Sequence, residues 1–143
     1  MRAPAWLRAQ NAIHVLAYRL SRGRVGRVIF GAPVLVLYQV GRRTGRRHAT
    51  PLLFGRDADD FLLVASYGGR PWHPAWYLNL KAHPEAEVEL MGRRIPVRAE
   101  EIPSGEERDR LWRMMAALYP GYDTYQRKTE RLIPVIRLRP RKA

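Results

Sequence analysis

The chain has no cysteine and no acidic residue before Asp57. The first absence excludes a disulfide framework, thiolate metal sites and a cysteine nucleophile. The second leaves residues 1–56 with 11 arginines and no counter-charge, so this stretch carries +11 of the net +13. Lysine is scarce as well, at 3 against 23 arginines, which tilts every basic patch toward planar, permanently charged donors. No apolar run approaches the ~18–20 residues of a membrane span. The start, MRAPAWLRAQNAIHVLAYRL, has neither a continuous apolar core nor an A-x-A cleavage site, so the expected location is the cytoplasm. H-E-x-x-H, G-x-S-x-G and a Walker lysine are all missing. The four histidines, His14, His48, His73 and His83, lack metal-type spacing, and no metal is expected. The acid pairs Asp59-Asp60 and Glu100-Glu101 fall in a turn and at a strand end, where charges are usually solvated. If the chain catalyses a reaction, a cofactor supplies the difficult chemistry.

What is present suffices for one domain with a core: 143 residues, 46% apolar and 27% charged. The lopsided charge points to an anionic partner near the N-terminal half, whether a phosphate ligand, a nucleic acid or an anionic membrane, or else to an arginine-rich solvated face. Residues 4–21 read as an amphipathic helix with Trp6, Ala9, Ile13, Leu16 and Leu20 on one stripe, broken at Gly23 and Gly26. That helix either covers the rest of the fold or rests on an anionic membrane surface. The run 34–40 reads as a strand, GRRTGRR as a turn and 48–55 as the return strand, at an edge or bulge because of Pro51. Further strands are expected at 61–66, on either side of Gly92, and at 133–140. Helices are expected at 75–83, after Ser104 and within 120–129. In S-G-E-E, Ser104 and Glu107 have the spacing of a capping box, ahead of a buried stripe of Leu111, Trp112, Met115 and Leu118. About six strands in antiparallel succession do not alternate strictly with helices, which disfavours a doubly wound parallel sheet. The fold class is mainly β with flanking helices (α+β), a small closed or half-closed barrel. Residues 1–27 are expected to form the basic helix and linker, and 28–143 the barrel domain.

Three clusters carry chemistry. In GRRTGRRHATPLLF, Gly41 and Gly45 let backbone amides approach a ligand, Thr44 offers a hydroxyl, and Arg42 and Arg43 offer forked cationic donors for phosphate. The bland alternative is an exposed hairpin with solvating arginines. In SYGGRPWHPAWYLNL, a small-residue loop followed by aromatics suits a flat ring held by backbone donors on one edge, although Trp72, Trp76 and Tyr77 are equally suited to plain packing. In LYPGYDTYQRKT, Tyr119, Tyr122 and Tyr125 recur every three residues, as a pocket wall able to donate protons or as ordinary packing.

Taken in order, these clusters resemble the deazaflavin-dependent nitroreductase family, actinobacterial split β-barrel oxidoreductases that use coenzyme F-420. Members typically show T-G-(R/K)-(R/K)-(S/T)-G and a T-P-L or N-P-L strand, then a V-A-S-x-G-G loop with H/N-P-x-W-Y-x-N-L-x-A-(H/N)-P. Here these read VGRRTGRRHATPLLF and VASYGGRPWHPAWYLNLKAHP. The closing run is EERDRLWRMMAALYPGYDTYQRKTERLIPVIRL. The likeness spans roughly Val34 to Pro140. It implies a split barrel of the FMN-binding-protein type. It implies that Arg42, Arg43 and Thr44 hold the cofactor's phosphate and the start of its tail, that Gly45 allows close approach, and that Arg46 and His48 share that region. Ser66, Tyr67, Gly68 and Gly69 would meet the deazaflavin or its lactyl-phosphate, and Trp76 would flank the ring and the substrate. Tyr119, Tyr122 and Tyr125 would line the acceptor side, with Tyr122 or Tyr125 as the donor. Many members have lysine where this chain has Tyr67, which shifts part of the tail's counter-charge to Arg70 or to the hairpin.

The function expected is hydride transfer from reduced F-420 to a quinone or nitroaromatic acceptor. The expected location stays the cytoplasm with the N-terminal helix on the barrel; the alternative, that helix resting on an anionic bilayer where menaquinone lies, makes it a peripheral protein at the inner face of the cell membrane. Two other classes stay open on sequence alone: a non-catalytic F-420 carrier, and a small basic nucleic-acid-binding domain, although no nucleic acid is the expected partner.

Overall fold

A computed structural model describes residues 4–20, 28–29 and 32–141. The helix break expected at Gly23 and Gly26, and the boundary at residue 27, lie outside the described residues.

Among the described residues eight strands join in one antiparallel sheet rather than the six expected, the additions being the short β1 (Val28–Ile29) and β4 (Gly55–Asp57). The long hairpin is β2 (Ala32–Val40) and β3 (Arg47–Leu53), with Val36 opposite Pro51 and Val40 opposite Arg47. β3 pairs only with β2, the edge position that Pro51 requires. Beyond β2 run β6 (Glu85–Leu90), β7 (Arg93–Glu101), β8 (Val135–Pro140), β5 (Asp60–Val64) and β4. Tight turns join β4 to β5 at Ala58 and β6 to β7 at Met91-Gly92, each with positive φ.

Alternation along the strands sorts side chains to two faces. Leu35 and Leu37 of β2, Phe61 and Leu63 of β5, Val88, Val97, Ile136 and Leu138 fill the half-barrel. Trp76, Tyr77 and Leu80 of α2 (Ala75–Ala82) close it. On the outer face, Leu62, Val64 and Val135 pack with Leu111 and Met115 of α3 (Glu106–Leu118) and Tyr122 of α4 (Gly121–Arg127). Val36 and Tyr38, also outward, pack with Val15 and Tyr18 of α1 (Ala5–Leu20).

Two expectations are corrected here. The stripe Trp6, Ile13 and Leu16 lies on the solvent side of α1, at 63%, 69% and 56% exposure, with Ala9 exposed as well. The buried face is Val15 and Tyr18, whose hydroxyl donates to the Glu89 carbonyl at 3.0 Å. The helix therefore has two apolar faces. Ser104 does not cap α3: the N-cap is Gly105, at φ 146° with no side-chain cap bond. Glu107 accepts instead from Arg137, 2.7 Å away. Arg137 is buried and also reaches Asp57 at 3.1 Å and Asp60 at 2.8 Å, so one guanidinium ties β8 to the β4–β5 turn and α3. Hydrogen bonds from Arg110 and Arg137 hold the Asp57 carboxyl below the usual carboxylate range.

Candidate functional site

The interior row of β2 runs Leu35, Leu37, Gln39, so its last member is a buried amide at the barrel mouth. Gln39 donates to Thr50 Oγ1 at 3.2 Å and accepts from Asn79 Nδ2 at 3.1 Å. The Asn79 oxygen in turn accepts from the backbone N–H and the guanidinium of Arg42, both at 3.1 Å. This chain of buried amides anchors the Arg-rich hairpin to α2.

The hairpin tip closes on itself: Gly41 N–H donates to Arg46 O at 2.7 Å, and Gly45 N–H to Gly41 O at 2.9 Å. Gly45 sits at φ 70°, and a Cβ added there meets nothing within 4 Å, leaving open approach to the backbone. Gly41 has a different reason: an added Cβ would lie 2.6 Å from the His48 ring. Thr44 uses its hydroxyl on the Arg46 amide at 3.1 Å. Arg47 is paired with Glu87 and lies 4.9 Å from the Tyr38 ring. Arg43 and Arg46 are exposed, and their guanidiniums have no protein partner among the described residues. They are the cations most available to an anion.

At the end of β5 the backbone turns sharply. Ser66 is right-handed (φ −73°, ψ −38°), and Tyr67, Gly68 and Gly69 follow with φ of 47°, 65° and 78°. A right-handed residue followed by a left-handed one turns successive N–H groups to one side, an anion- and oxygen-binding nest. Tyr67 adopts this geometry without being glycine, at a cost of about 1 kcal/mol. Around Gly68 the space is open, whereas a Cβ on Gly69 would lie 2.8 Å from the Tyr125 carbonyl oxygen, so loop and α4 touch there. The Arg70 guanidinium lies 4.8 Å from the Tyr67 ring. The position where the resemblance leads one to expect lysine thus has a cation stacked on it from three residues away.

The tyrosines divide. Tyr122 is buried at 3% exposure, its ring edge-on to Tyr119 at 5.1 Å and tilted against Trp112 at 6.4 Å; burial pushes its hydroxyl well above the usual range. Tyr119 and Tyr125 are half-buried, and their hydroxyls are 2.9 Å apart. That bond, with some burial, pushes Tyr119 up to about 12. Tyr119 and Tyr122 therefore stay protonated near neutral pH, as hydrogen-bond donors rather than bases. Trp76 is 7% exposed and belongs to the barrel core, while Trp72 lies at the surface.

These parts form one strip. α2 spans about 12 Å at 1.5 Å per residue, with Asn79 at the hairpin and its N-terminus following the 66–74 loop. The loop then touches α4 and its tyrosines. Two hollows of about 230 and 250 Å³ lie elsewhere, one between β4 and α3 and the other between α3 and α4. The strip offers exposed cations, a backbone nest with room before it, and a pair of phenol hydroxyls, which fits a long ligand with an anionic end and a flat polar ring. Among the described residues no group of His, Cys, Asp or Glu could hold a metal ion.

The profile of the F-420H(2)-dependent quinone reductase family matches residues 8–140. The chain belongs to this family. An F-420H(2)-dependent quinone reductase of Mycobacterium tuberculosis is 39% identical over 127 residues, covering 87% of this chain and 85% of that protein. A solved F-420-H2-dependent reductase (FDR-A) is 37% identical, with a TM-score of 0.68 over 74% of this chain and 93% of that one. A second solved structure, described as a domain-swapped dimer, is 34% identical, with a TM-score of 0.70 over 93% and 96% of the two chains. The half-barrel is thus the split barrel of the F-420-dependent reductases.

For this quinone reductase relative, sequence reasoning missed two residues of the strip. Asn79 was visible only as one letter of a motif. Arg131 donates to the carbonyls of Ala65, Ser66 and Arg70, and contacts His73 Nδ1. Burial and the adjacent guanidinium hold His73 below the usual imidazole range, so its ring is neutral and Nδ1 accepts.

Proposed function

We propose that the strip divides an F-420-dependent quinone reduction among three elements: the hairpin for the cofactor's anionic end, the 66–69 nest for its ring or inner phosphate, and the tyrosine pair for the acceptor. The chain is an oxidoreductase of the F-420H(2)-dependent quinone reductase family, with F-420 as cofactor and quinone as acceptor. The cofactor, when bound, supplies the hydride. The protein's part is to hold the two reactants at one geometry and to stabilise negative charge on the acceptor oxygen. Arg43 and Arg46 supply charge-assisted bonds to phosphate or carboxylate, and Arg42, fixed by Asn79, sets where the tip points. Arg70, stacked on Tyr67, adds positive charge beside the nest. Ser66, Gly68 and Gly69 present backbone, and Gly45 admits close approach. Trp76 acts by holding α2 in the core, and Tyr122 by holding α4. The Tyr119 and Tyr125 hydroxyls lie 2.9 Å apart, and Tyr125 is the phenol that donates to the acceptor oxygen. Nitroaromatics, with the same electron-poor oxygen geometry, are further acceptors for this site.

The observation that carries this reading is the pairing of exposed, unpartnered Arg43 and Arg46 with the nest one short helix away. Titration of F-420 and of NADPH tests it. F-420 is expected to bind at least about tenfold tighter, because the strip offers several separated cationic and amide contacts and the chain has no dinucleotide G-x-G-x-x-G turn. Tighter NADPH binding would overturn it. Steady-state oxidation of reduced F-420 by menadione separates enzyme from carrier.

The location at the membrane rests on α1. Among the described residues no helix is long and apolar enough to cross a membrane. The exposed Trp6, Ile13 and Leu16 face away from the barrel, on a segment with no acidic residue, which suits the surface of an anionic bilayer. Ile13→Ser with Leu16→Ser is expected to leave Tm within a few degrees while reducing binding to phosphatidylglycerol vesicles at least about tenfold. Unchanged vesicle binding would remove α1 from the membrane contact.

A further inference from the structure

Arg131 lies in the segment between α4 and β8 and belongs to none of the three ligand-facing clusters. Its guanidinium is nonetheless the most heavily engaged around the nest. Nε donates to the Arg70 carbonyl at 2.9 Å, one terminal nitrogen to Ala65 O at 3.2 Å and the other to Ser66 O at 2.7 Å. The first terminal nitrogen also lies 3.2 Å from His73 Nδ1. Four acceptors, on residues 65, 66, 70 and 73, thus converge on one planar fork, while the Gly69 and Arg70 amides close the turn on Ser66 O at 2.9 Å and Tyr67 O at 3.2 Å, so the amides offered to a ligand are those of Tyr67 and Gly68.

The other end of Arg131 is equally fixed. Its carbonyl accepts from Gln126 Nε2 at 2.9 Å, and Gln126 Oε1 accepts from the Ile133 amide at 2.9 Å. Gln126 is in α4, the residue after Tyr125. The same loop meets α4 directly where Gly69 lies against the Tyr125 backbone. One residue therefore bridges the left-handed turn and the helix that carries the hydroxyl pair.

We propose that Arg131 is a positioning residue: its guanidinium fixes the left-handed 66–69 turn against α4, and so sets the cofactor-facing amides and the Tyr119–Tyr125 hydroxyls at their working separation. This rests on the assignment of the strip to F-420 and a quinone. It requires the fork and not merely the charge, since a single ammonium cannot span carbonyls at residues 65, 66 and 70 together. Left without these donors, half-buried carbonyls would seek water, and the turn, with a non-glycine residue at φ 47°, would relax toward a less strained shape.

The test uses Arg131→Lys in the full chain, with F-420 affinity from deazaflavin fluorescence, kcat at saturating reduced F-420 with menadione, and amide hydrogen exchange with and without F-420. Expected are a roughly tenfold weaker Kd and a roughly tenfold lower kcat at temperatures well below Tm. In the wild type, F-420 should protect segments 66–70 and 121–131 together, and in the variant only the first. A folded Arg131→Lys protein with Kd and kcat within twofold of wild type would overturn the proposal, leaving Arg131 a stability residue. If the variant does not fold, wild-type exchange decides: joint protection supports the coupling, and protection of 66–70 alone overturns it. A wild type that binds no F-420 would instead overturn the functional assignment itself.

Discussion

Tyr125→Phe is expected to slow quinone reduction roughly 10–100-fold, with kcat and kcat/KM falling together. The substitution keeps the ring, which packs against the cluster of Leu62, Leu111, Met115 and Ile133. It removes one half of the hydroxyl pair at 2.9 Å. In the proposed arrangement the Tyr119 O–H is spent on the Tyr125 oxygen, and the Tyr125 O–H is the one that reaches the acceptor. F-420 affinity is expected to change less than about threefold, because the hairpin and nest are untouched. Tyr122→Phe is expected to keep activity within about threefold, since that ring is buried in the core. The pH dependence gives an independent check. Tyr119 is raised to about 12, first by its bond to Tyr125 and then by burial, so its protonated form persists well above the ordinary phenol value. Wild-type turnover should therefore be flat between about pH 6 and 9. In Tyr125→Phe the larger cause is gone, the Tyr119 value falls back toward 10, and the alkaline limit of the residual activity moves down with it. Wild-type rates in Tyr125→Phe would reduce the pair to a packing role.

Strand periodicity made most of this fold readable. In β2 the alternation Leu35, Leu37, Gln39 against Val36 and Tyr38 assigns both faces, and Pro51 marks β3 as an edge before any coordinates are known. Helix periodicity did less for α1, because Val15 and Tyr18 form one apolar face and Trp6, Ile13 and Leu16 another. Sequence counting favours the larger stripe, and packing against Tyr38 chose the smaller. The S-G-E-E pattern failed for a related reason. A local cap is worth about 1 kcal/mol, and Glu107 instead meets buried Arg137, a partner 30 residues away.

The candidate site was legible as three clusters but not as one strip. Gly41, Gly45, Gly68 and Gly69 announce close approach by their type. The even spacing of the tyrosines hid their division, because the segment passes from the end of α3 into α4 and turns the middle ring inward. Asn79 and Arg131 escaped because their partners are remote. Asn79 joins Gln39 and Arg42, 40 and 37 residues away. Arg131 serves backbone carbonyls up to 66 residues away, and a carbonyl acceptor leaves no mark on sequence.

The hairpin arginines differ in what they already hold, and that difference is measurable. Arg43→Ala and Arg46→Ala are each expected to weaken F-420 binding by about 1–3 kcal/mol, the scale of a charge-assisted hydrogen bond, and the double variant by at least about 30-fold. Neither guanidinium has a partner among the described residues, so the change falls on binding and Tm should stay within a few degrees. Arg47→Ala should do less to binding, because that side chain is already paired with Glu87 and lies over the Tyr38 ring. Its loss should appear as a small drop in stability instead. Arg42→Ala should affect both, since it removes the guanidinium bond to the Asn79 oxygen and leaves only the backbone N–H to fix the tip. Salt sorts the same contacts. Raising ionic strength from about 0.05 to 0.5 M shortens the Debye length well below 10 Å and should weaken wild-type binding severalfold. In the Arg43/Arg46 double variant that salt dependence should largely disappear. If the double variant binds F-420 as tightly as wild type and with the same salt dependence, the hairpin's charge is solvated, and the anionic end of the cofactor must be held by Arg70 and the nest.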